Sequence, residues 1–256
     1  MGQDVEIDRV GRLLKIRLNR PAKKNALTAA MYAAMAEGVR EAENDQTIGA
    51  IVFLGAEGCF TAGNDLGDFQ QQPPRNKEAP VYQFILALAR STVPMVAAVD
   101  GLAIGIGTTL LLHCDAAFAA PDTRFQLPFV NLGLLPEAGS TYLLPKLMGH
   151  AKASELIMSC RPFNGQEALE LGLITAVCES AQLEQAAISA AEAIADKPPR
   201  TLRRAKALLK HDRLEVERQI LAEILEFSEY LDSPETDEAL SAFAEKRKPD
   251  FSKLSA

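Results

Sequence analysis

Three short apolar runs constrain this chain more than any other feature. They are Ile48 to Leu54, Met95-Val96-Ala97-Ala98-Val99 and Asp115 to Ala119. Runs of this length without polar alternation suit strands covered on both faces, as in a parallel sheet. Helical periodicity takes over before the first run and again between the first and the second. Met31, Met35, Val39 and Ala42 recur every three or four residues behind Thr28, a good N-cap, and a second helix is expected from about Ala79 to Arg90. Ahead of them, Val5-Glu6-Ile7 and Leu14 to Leu18 alternate apolar and polar residues around a turn at Gly11. Strands alternating with helices predict an α/β fold. The polar, proline-rich stretch Gln70 to Asn76 reads as an exposed loop.

The pattern changes near residue 196. Asp196-Lys197-Pro198-Pro199 stops a helix carrying Leu183, Ala187, Ala191 and Ile194, and everything afterwards reads helical. This divides the chain into a core, residues 1–195, and a C-terminal helical region, residues 196–256. In the latter, Leu202, Ala205 and Leu209 mark one apolar stripe. Ile220, Leu221, Ile224, Leu225 and Leu231 mark another, opposite Glu223, Glu226 and Glu229. Ser233-Pro234 is a good N-cap and N1 pair for a last helix. Such stripes need a cover, either the core of the same chain or a neighbouring subunit.

Composition excludes several classes of function. With 27 Lys plus Arg against 34 Asp plus Glu the formal charge is −7, which argues against nucleic acid as a partner. Cys59, Cys114, Cys160 and Cys178 form no C-x-x-C pair, and His113, His150 and His211 are equally scattered, so no metal site is expected. The longest apolar stretch, Gly101 to Leu112, is too short to span a bilayer, and the first residues lack the pattern of a signal peptide. Ser252-Lys253-Leu254 is followed by two residues and is not a C-terminal peroxisomal address. A cytoplasmic protein is the expectation.

Gly105-Ile106-Gly107 opens like a dinucleotide loop, but Leu110 occupies the place of the third glycine and no acid stands near position 126. No phosphate loop of the G-x-x-x-x-G-K-[ST] type and no G-x-S-x-G elbow are present. Two glycine-containing turns remain, Cys59 to Leu66 and Asp100 to Gly107, each following a strand. Each is able to present backbone N–H groups, and two converging donors make an oxyanion hole. Either turn alone fits equally well as a place where small residues permit close packing. Glu137, between Pro136 and Ala138 after Leu134-Leu135, is the one acid in a largely apolar stretch. Buried, it would have a raised pKa suited to a general base; exposed, it would be an ordinary acid in the first turn of a helix.

Several segments together resemble the enoyl-CoA hydratase/isomerase, or crotonase, superfamily. They are Leu18-Asn19-Arg20-Pro21 with Asn25-Ala26-Leu27, then Phe60 to Leu66, Asp100 to Asp115, Phe125 to Pro145, and Phe163 to Ala168 with Gly172-Leu173-Ile174. The resemblance covers nearly the whole chain in order. It implies a spiral of ββα units followed by a helical trimerisation region, an acyl-CoA thioester as substrate, a homotrimer or a dimer of trimers, and no cofactor beyond the CoA of the substrate. It also implies an oxyanion hole at the N–H groups of Ala62 and Ile106. CoA contacts fall on Lys24, on Ala62, Gly63, Asn64, Asp65 and Leu66, and on Gly105 and Ile106, with Phe129 and Leu134 in the acyl pocket.

Two departures narrow the chemistry. The paired glutamates of the superfamily's hydratases match Thr109 and Phe129 here, and neither is a carboxylate. Leu132 to Ser140, with Leu144 to Met148 and Phe60 to Leu66, resembles instead the peroxisomal-type Δ3,Δ2-enoyl-CoA isomerases, whose single catalytic glutamate matches Glu137. The resemblance thus implies an isomerase that moves one proton from C2 to C4. A hydratase, another acyl-CoA reaction or a non-catalytic scaffold are the alternatives.

Overall fold

A computed structural model describes residues 4–254. Strands β1 (Val5–Val10) and β2 (Leu13–Leu18) pair antiparallel. Helix α1 (Ala29–Asn44) follows. The Thr28 hydroxyl accepts from Met31 N at 3.3 Å and caps it. Met31, Met35, Val39 and Ala42 are buried along one side, as their spacing predicts. Then come β3 (Ala50–Leu54), α2 (Leu66–Gln71) and α3 (Pro80–Arg90). The expected loop at residues 70–76 therefore begins two residues later than expected. Asp65 accepts from Gly67 N and Asp68 N, and this cap carries the short helix α2 through Gln71. The loop proper is tied to the C-terminal region by the Arg75 guanidinium on Asp232, at 2.5 and 2.8 Å.

The next coil supplies β4 (Met95–Val99), β5 (Leu102–Ile104), α4 (Ile106–Thr109), β6 (Ala116–Ala119) and β7 (Arg124–Gln126). Helices α5 (Ser140–Met148), α6 (His150–Ser159) and α7 (Gly165–Glu170) lead to the two-residue strand β8 (Ala176–Val177) and to α8 (Ser180–Ala195). The large sheet has the order β1-β2-β3-β4-β6-β8, parallel from β2 onward. A second, small ladder pairs β5 with β7 and is extended by the single bridges Thr61 to Ala103 and Phe125 to Phe163. Successive coils place a strand in the large sheet and then an extended segment in the small ladder, which is the spiral expected of a crotonase-type α/β fold.

The unalternated apolar runs are explained by cover on both faces. Ile51, Phe53, Met95, Ala97 and Val99 enter the main core with α1 and α3. Ala50, Val52, Leu54, Val96 and Ala98 pack instead on Leu183, Ala187, Ala191 and Ala195 of α8. Each large apolar side chain so buried stabilises the fold by about 1.5–3 kcal/mol, so neither face of β3 or β4 tolerates a charge.

The C-terminal region forms α9 (Pro199–Leu209), α10 (Arg213–Tyr230) and α11 (Pro234–Ala244). Ser233 caps α11 through Thr236 N at 3.2 Å, and Pro234 is its first residue, as expected. Two stripe assignments change. On α9 the expected face of Leu202, Ala205 and Leu209 is not the docked one: Leu209 is 79% exposed, and the residue buried is Lys206. Three cations dock α9 instead. Arg203 donates to the carbonyls of Ala42, Glu43 and Asp45 at 3.0 Å each, satisfying groups that the end of α1 leaves unpaired. Lys206 donates to Val93 O and Asp115 Oδ2, both at 2.7 Å, and Lys210 to His113 O at 3.2 Å. On α10, Val216, Ile220, Ile224 and Phe227 are buried, while Leu221 and Leu225 face outward. Glu223, expected on the solvent side, is buried with them. Among the described residues no helix is long and apolar enough to cross a membrane.

Candidate active site

The two glycine-containing turns lie side by side because the chain bridges them. Thr61 pairs in parallel with Ala103; Thr61 N donates to Leu102 O at 2.8 Å, and Ile104 N donates to Thr61 O at 3.1 Å. Gly107 permits the approach, since a Cβ there would sit 2.6 Å from Thr61 Cγ2. Buried Asn25 fixes the first turn from behind: its Oδ1 accepts from Arg20 N at 2.8 Å and its Nδ2 donates to Cys59 O at 2.7 Å.

The donors in these turns differ from the expected pair. Ala62 N–H is spent on the Lys24 carbonyl at 3.0 Å, which withdraws it from the role expected of it. Thr61, Gly63 and Asp65 donate to Leu102 O, to Thr61 Oγ1 and to Leu27 O. From Thr61 to Asp65, the Asn64 N–H is the one without an acceptor among the described residues. Ile106 N–H is likewise unpaired, at the first turn of α4. Asn64 and Ile106 each lie three residues beyond the Thr61–Ala103 bridge and in the same chain direction, so the two free donors belong to one site. Gly105 N–H donates to Gln126 O at 2.9 Å and fixes the second turn without offering a donor.

The other CoA-contact candidates separate by availability. Lys24 is exposed, and its ammonium has no partner among the described residues. Asp65 is committed: it caps α2 and takes the Arg20 guanidinium at 2.7 Å. That pair holds its carboxyl below the usual carboxylate range. Leu66 is the first residue of α2, and Gly63 is buried against Ile104 O. Phe129 and Leu134 are buried in the main core.

One turn of α4 beyond Ile106 stands Thr109, whose hydroxyl donates to Glu137 Oε1 at 2.6 Å. Glu137 is 7% exposed, and its Oε2 is buried without a hydrogen-bond partner. The reading of Glu137 as an exposed helix-start residue therefore gives way to the buried one. Burial raises its pKa to about 8; the Thr109 hydrogen bond works in the opposite direction, and the nearby charge of Glu223 adds to the rise. The loop carrying Glu137 is held on both sides. His113 Nε2 bonds the Ala138 carbonyl at 2.9 Å, and since burial lowers the His113 pKa to about 3 this is the neutral ring donating its N–H. On the far side, Gly139 N donates to Glu223 Oε2 at 2.6 Å.

Sequence reasoning missed three further polar groups here. Tyr32, fully within α1, donates its hydroxyl to Asn64 Oδ1 at 2.5 Å. Tyr82 on α3 is buried against Phe227. Burial raises both phenols, and the Glu137 carboxylate raises them further, so both rings stand close to the base. The third is Glu223. A tyrosine between core positions Met31 and Met35 was the available signal for Tyr32; a lone glutamate among glutamates gave none for Glu223. Among the described residues no His/Cys/Asp/Glu group is placed to hold a metal ion.

This arrangement combines a buried carboxylate with one free oxygen, two unpaired N–H donors and aromatic walls. The family model for enoyl-CoA hydratase/isomerase matches residues 9–254. The chain belongs to that family. Crotonase-family relatives include "Enoyl-CoA delta isomerase 2" of Rattus norvegicus, 36% identical over 80% of this chain, of whose length the chain spans 54%. The "2,3-dehydroadipyl-CoA hydratase" of Escherichia coli is 32% identical over 96% of this chain and 97% of its own. Among solved structures, Pseudomonas aeruginosa OdaA superposes with a TM-score of 0.91 at 44% identity, covering 94% of this chain and 99% of that one. The family relatives thus include isomerases and hydratases, and the choice between the two rests on the site.

Proposed function

We propose that this crotonase-family protein is a Δ3,Δ2-enoyl-CoA isomerase acting through a single carboxylate. The observation that carries this reading is that, among the described residues, Glu137 is the one carboxylate with a buried oxygen that has no hydrogen-bond partner. Position 109 holds a hydroxyl already donated to Glu137, position 129 holds a phenylalanine, and both oxygens of Glu223 are taken by three donors. Water addition by two carboxylates has no second carboxylate to use.

The steps follow from the geometry. Ionised Glu137 removes a proton from C2 of a 3-enoyl thioester. The C–H electron pair delocalises as a dienolate, and the thioester oxygen takes up negative charge. The N–H groups of Asn64 and Ile106 receive that oxygen. Protonated Glu137 then delivers its proton to C4, and the double bond settles between C2 and C3. No water is consumed, and the base is regenerated. A donor of this kind contributes about 3 kcal/mol to the transition state, more in a pocket closed to water. Lys24 and the loop from Ala62 to Leu66 hold the CoA portion. Leu208, Leu209, Leu225 and Phe243, all at least 60% exposed in the single chain, fit the faces of a homotrimer.

Proton NMR of a 3-enoyl-CoA incubated with the protein in D2O tests the reading. The 2-enoyl product, absent with Glu137→Gln, is the expected result. A 3-hydroxyacyl product would instead establish a hydratase, the reading favoured by the full-length match to the dehydroadipyl-CoA hydratase.

A further inference from the structure

Glu223 is a buried carboxylate that the mechanism above does not use. It lies midway along α10, 6% exposed, more than eighty residues from the loop it binds. Its Oε2 accepts from Gly139 N at 2.6 Å; its Oε1 accepts from Thr141 N at 3.1 Å and from the Thr141 hydroxyl at 2.5 Å. The Thr141 hydroxyl is itself the acceptor of Gln219 Nε2 at 2.9 Å, so its proton points to Glu223. Every partner of Glu223 is a donor, and the arrangement calls for the ionised form.

These bonds fall where the backbone needs them. Gly139 is the N-cap of α5, which has no side-chain cap of its own. Ala138 and Gly139 are consecutive left-handed residues, at φ +64° and +71°, and Ala138 adopts that conformation against the preference of an L side chain. A Cβ on Gly139 would stand 3.3 Å from both Ile220 Cγ1 and Val216 Cγ1, so α10 is in direct contact with the turn. With His113 holding the Ala138 carbonyl, the residue after Glu137 is fixed from one side by the spiral core and the next from the other by α10.

We propose that Glu223 is a positioning residue, which holds the Ala138–Gly139 turn so that Glu137 reaches both the Thr109 hydroxyl and the thioester, and thereby makes the seat of α10 part of the proton-transfer machinery. The proposal rests on Glu137 as the base. Its second consequence is electrostatic. The groups facing Glu137 are Thr109 on α4, Tyr32 on α1, Tyr82 on α3 and Glu223 on α10, and the only carboxylate among them is Glu223. No cation is among the partners of Glu223, whose own pKa burial raises to about 7. Removing its charge must therefore let Glu137 ionise at lower pH.

The test is Glu223→Gln in the full-length protein, assayed with trans-3-hexenoyl-CoA, together with a carbon NMR titration of side-chain-labelled glutamate. The amide keeps the shape but has one acceptor oxygen where the carboxylate has two, so Gly139 N and the Thr141 donors are no longer all satisfied. The expected result is a kcat at least tenfold lower with KM within threefold, and a Glu137 titration displaced below about 8. A rate that falls only with the folded fraction measured by circular dichroism, and an unmoved titration, overturn the proposal. Should Glu223→Gln not fold, Thr141→Val removes the hydroxyl's bond to Glu223, and with it the one from Gln219, without touching the buried charge. A several-fold lower kcat with unchanged KM supports the proposal, and an unchanged kcat overturns it. Glu137→Gln is the control for the underlying reading. If that variant keeps full rate the isomerase reading fails, while the titration of Glu137 in Glu223→Gln still decides whether the charge of Glu223 acts on Glu137.

Discussion

The Thr109 hydroxyl donates to Glu137 Oε1 across 2.6 Å, joining the helix that presents the Ile106 N–H to the loop that presents the base. One carboxylate oxygen is thereby held and the other left for substrate. The proposed proton acceptor and the proposed oxyanion donor are thus referred to one rigid turn of helix, which favours a near-attack geometry.

Glu137→Gln keeps the volume of the side chain and removes the base. Isomerisation is expected to fall by at least 10³-fold, about 4 kcal/mol in the barrier, while binding of a saturated acyl-CoA changes little. Isothermal titration beside the rate assay separates the two effects.

Thr109→Val deletes a hydrogen bond that favours the ionised form of Glu137. The pKa of Glu137, already raised to about 8 by burial, is expected to rise further. Because the base must be ionised, kcat/KM climbs with pH through that value, and the acid limb of the profile moves to higher pH in the variant. A limb that stays in place would show that the bond does not act on the base.

Ile106→Pro removes one proposed oxyanion donor without breaking a helical hydrogen bond, since Ile106 is the first residue of α4 and its N–H has no acceptor there. The expected loss in kcat is about 10²–10³-fold. Ala62→Pro should act differently. It breaks the bond to Lys24 O, so the damage is expected in the thermal midpoint as well as in the rate.

Burial of Glu137 also makes a prediction about stability. Its folded pKa is raised, from 4.5 to about 8, so the native state holds a proton that the unfolded state releases between those values. Stability from this group is fully present below about pH 4.5 and is lost as pH climbs through 8, amounting to a few kcal/mol. Glu137→Gln removes the dependence. The variant is expected to melt above the parent at pH 9 and to converge with it at pH 5, by calorimetry at both values.

Lys206→Met leaves Asp115 Oδ2 and Val93 O without their cation. Asp115 keeps a quarter of its side chain exposed and retains Met95 N as a donor at 2.8 Å, which softens the loss. A destabilisation of about 2–3 kcal/mol is expected, or roughly 5–10 °C in thermal midpoint for a chain of this size.

Much of the spiral was legible because local rules and tertiary structure agree in it. The unalternated runs in β3, β4 and β6 state that both faces are covered, and Thr28 and Ser233 cap the helices they precede. Legibility ended where partners are distant in the chain. Glu223 reads as a solvent residue because nothing near it shows the Gly139 and Thr141 donors. The expected donor at the first turn, Ala62, is taken while Asn64 two residues on is free, because availability of an N–H depends on whether another segment claims it; Lys24 O claims that of Ala62. On α9 the apolar positions are regular enough to suggest a seam, yet the carbonyls left open at the end of α1 attract the arginine face instead.

That choice of face sets how α9 responds to temperature. Apolar seams weaken on cooling, because the driving force for their burial fades. The seat of α9 is built from Arg203, Lys206 and Lys210 on oxygen atoms, with Leu208 and Leu209 left outside. Lifting this helix off the core uncovers few apolar groups and so carries a small heat-capacity change. Chilling, which loosens an apolar docking surface, leaves this one closed.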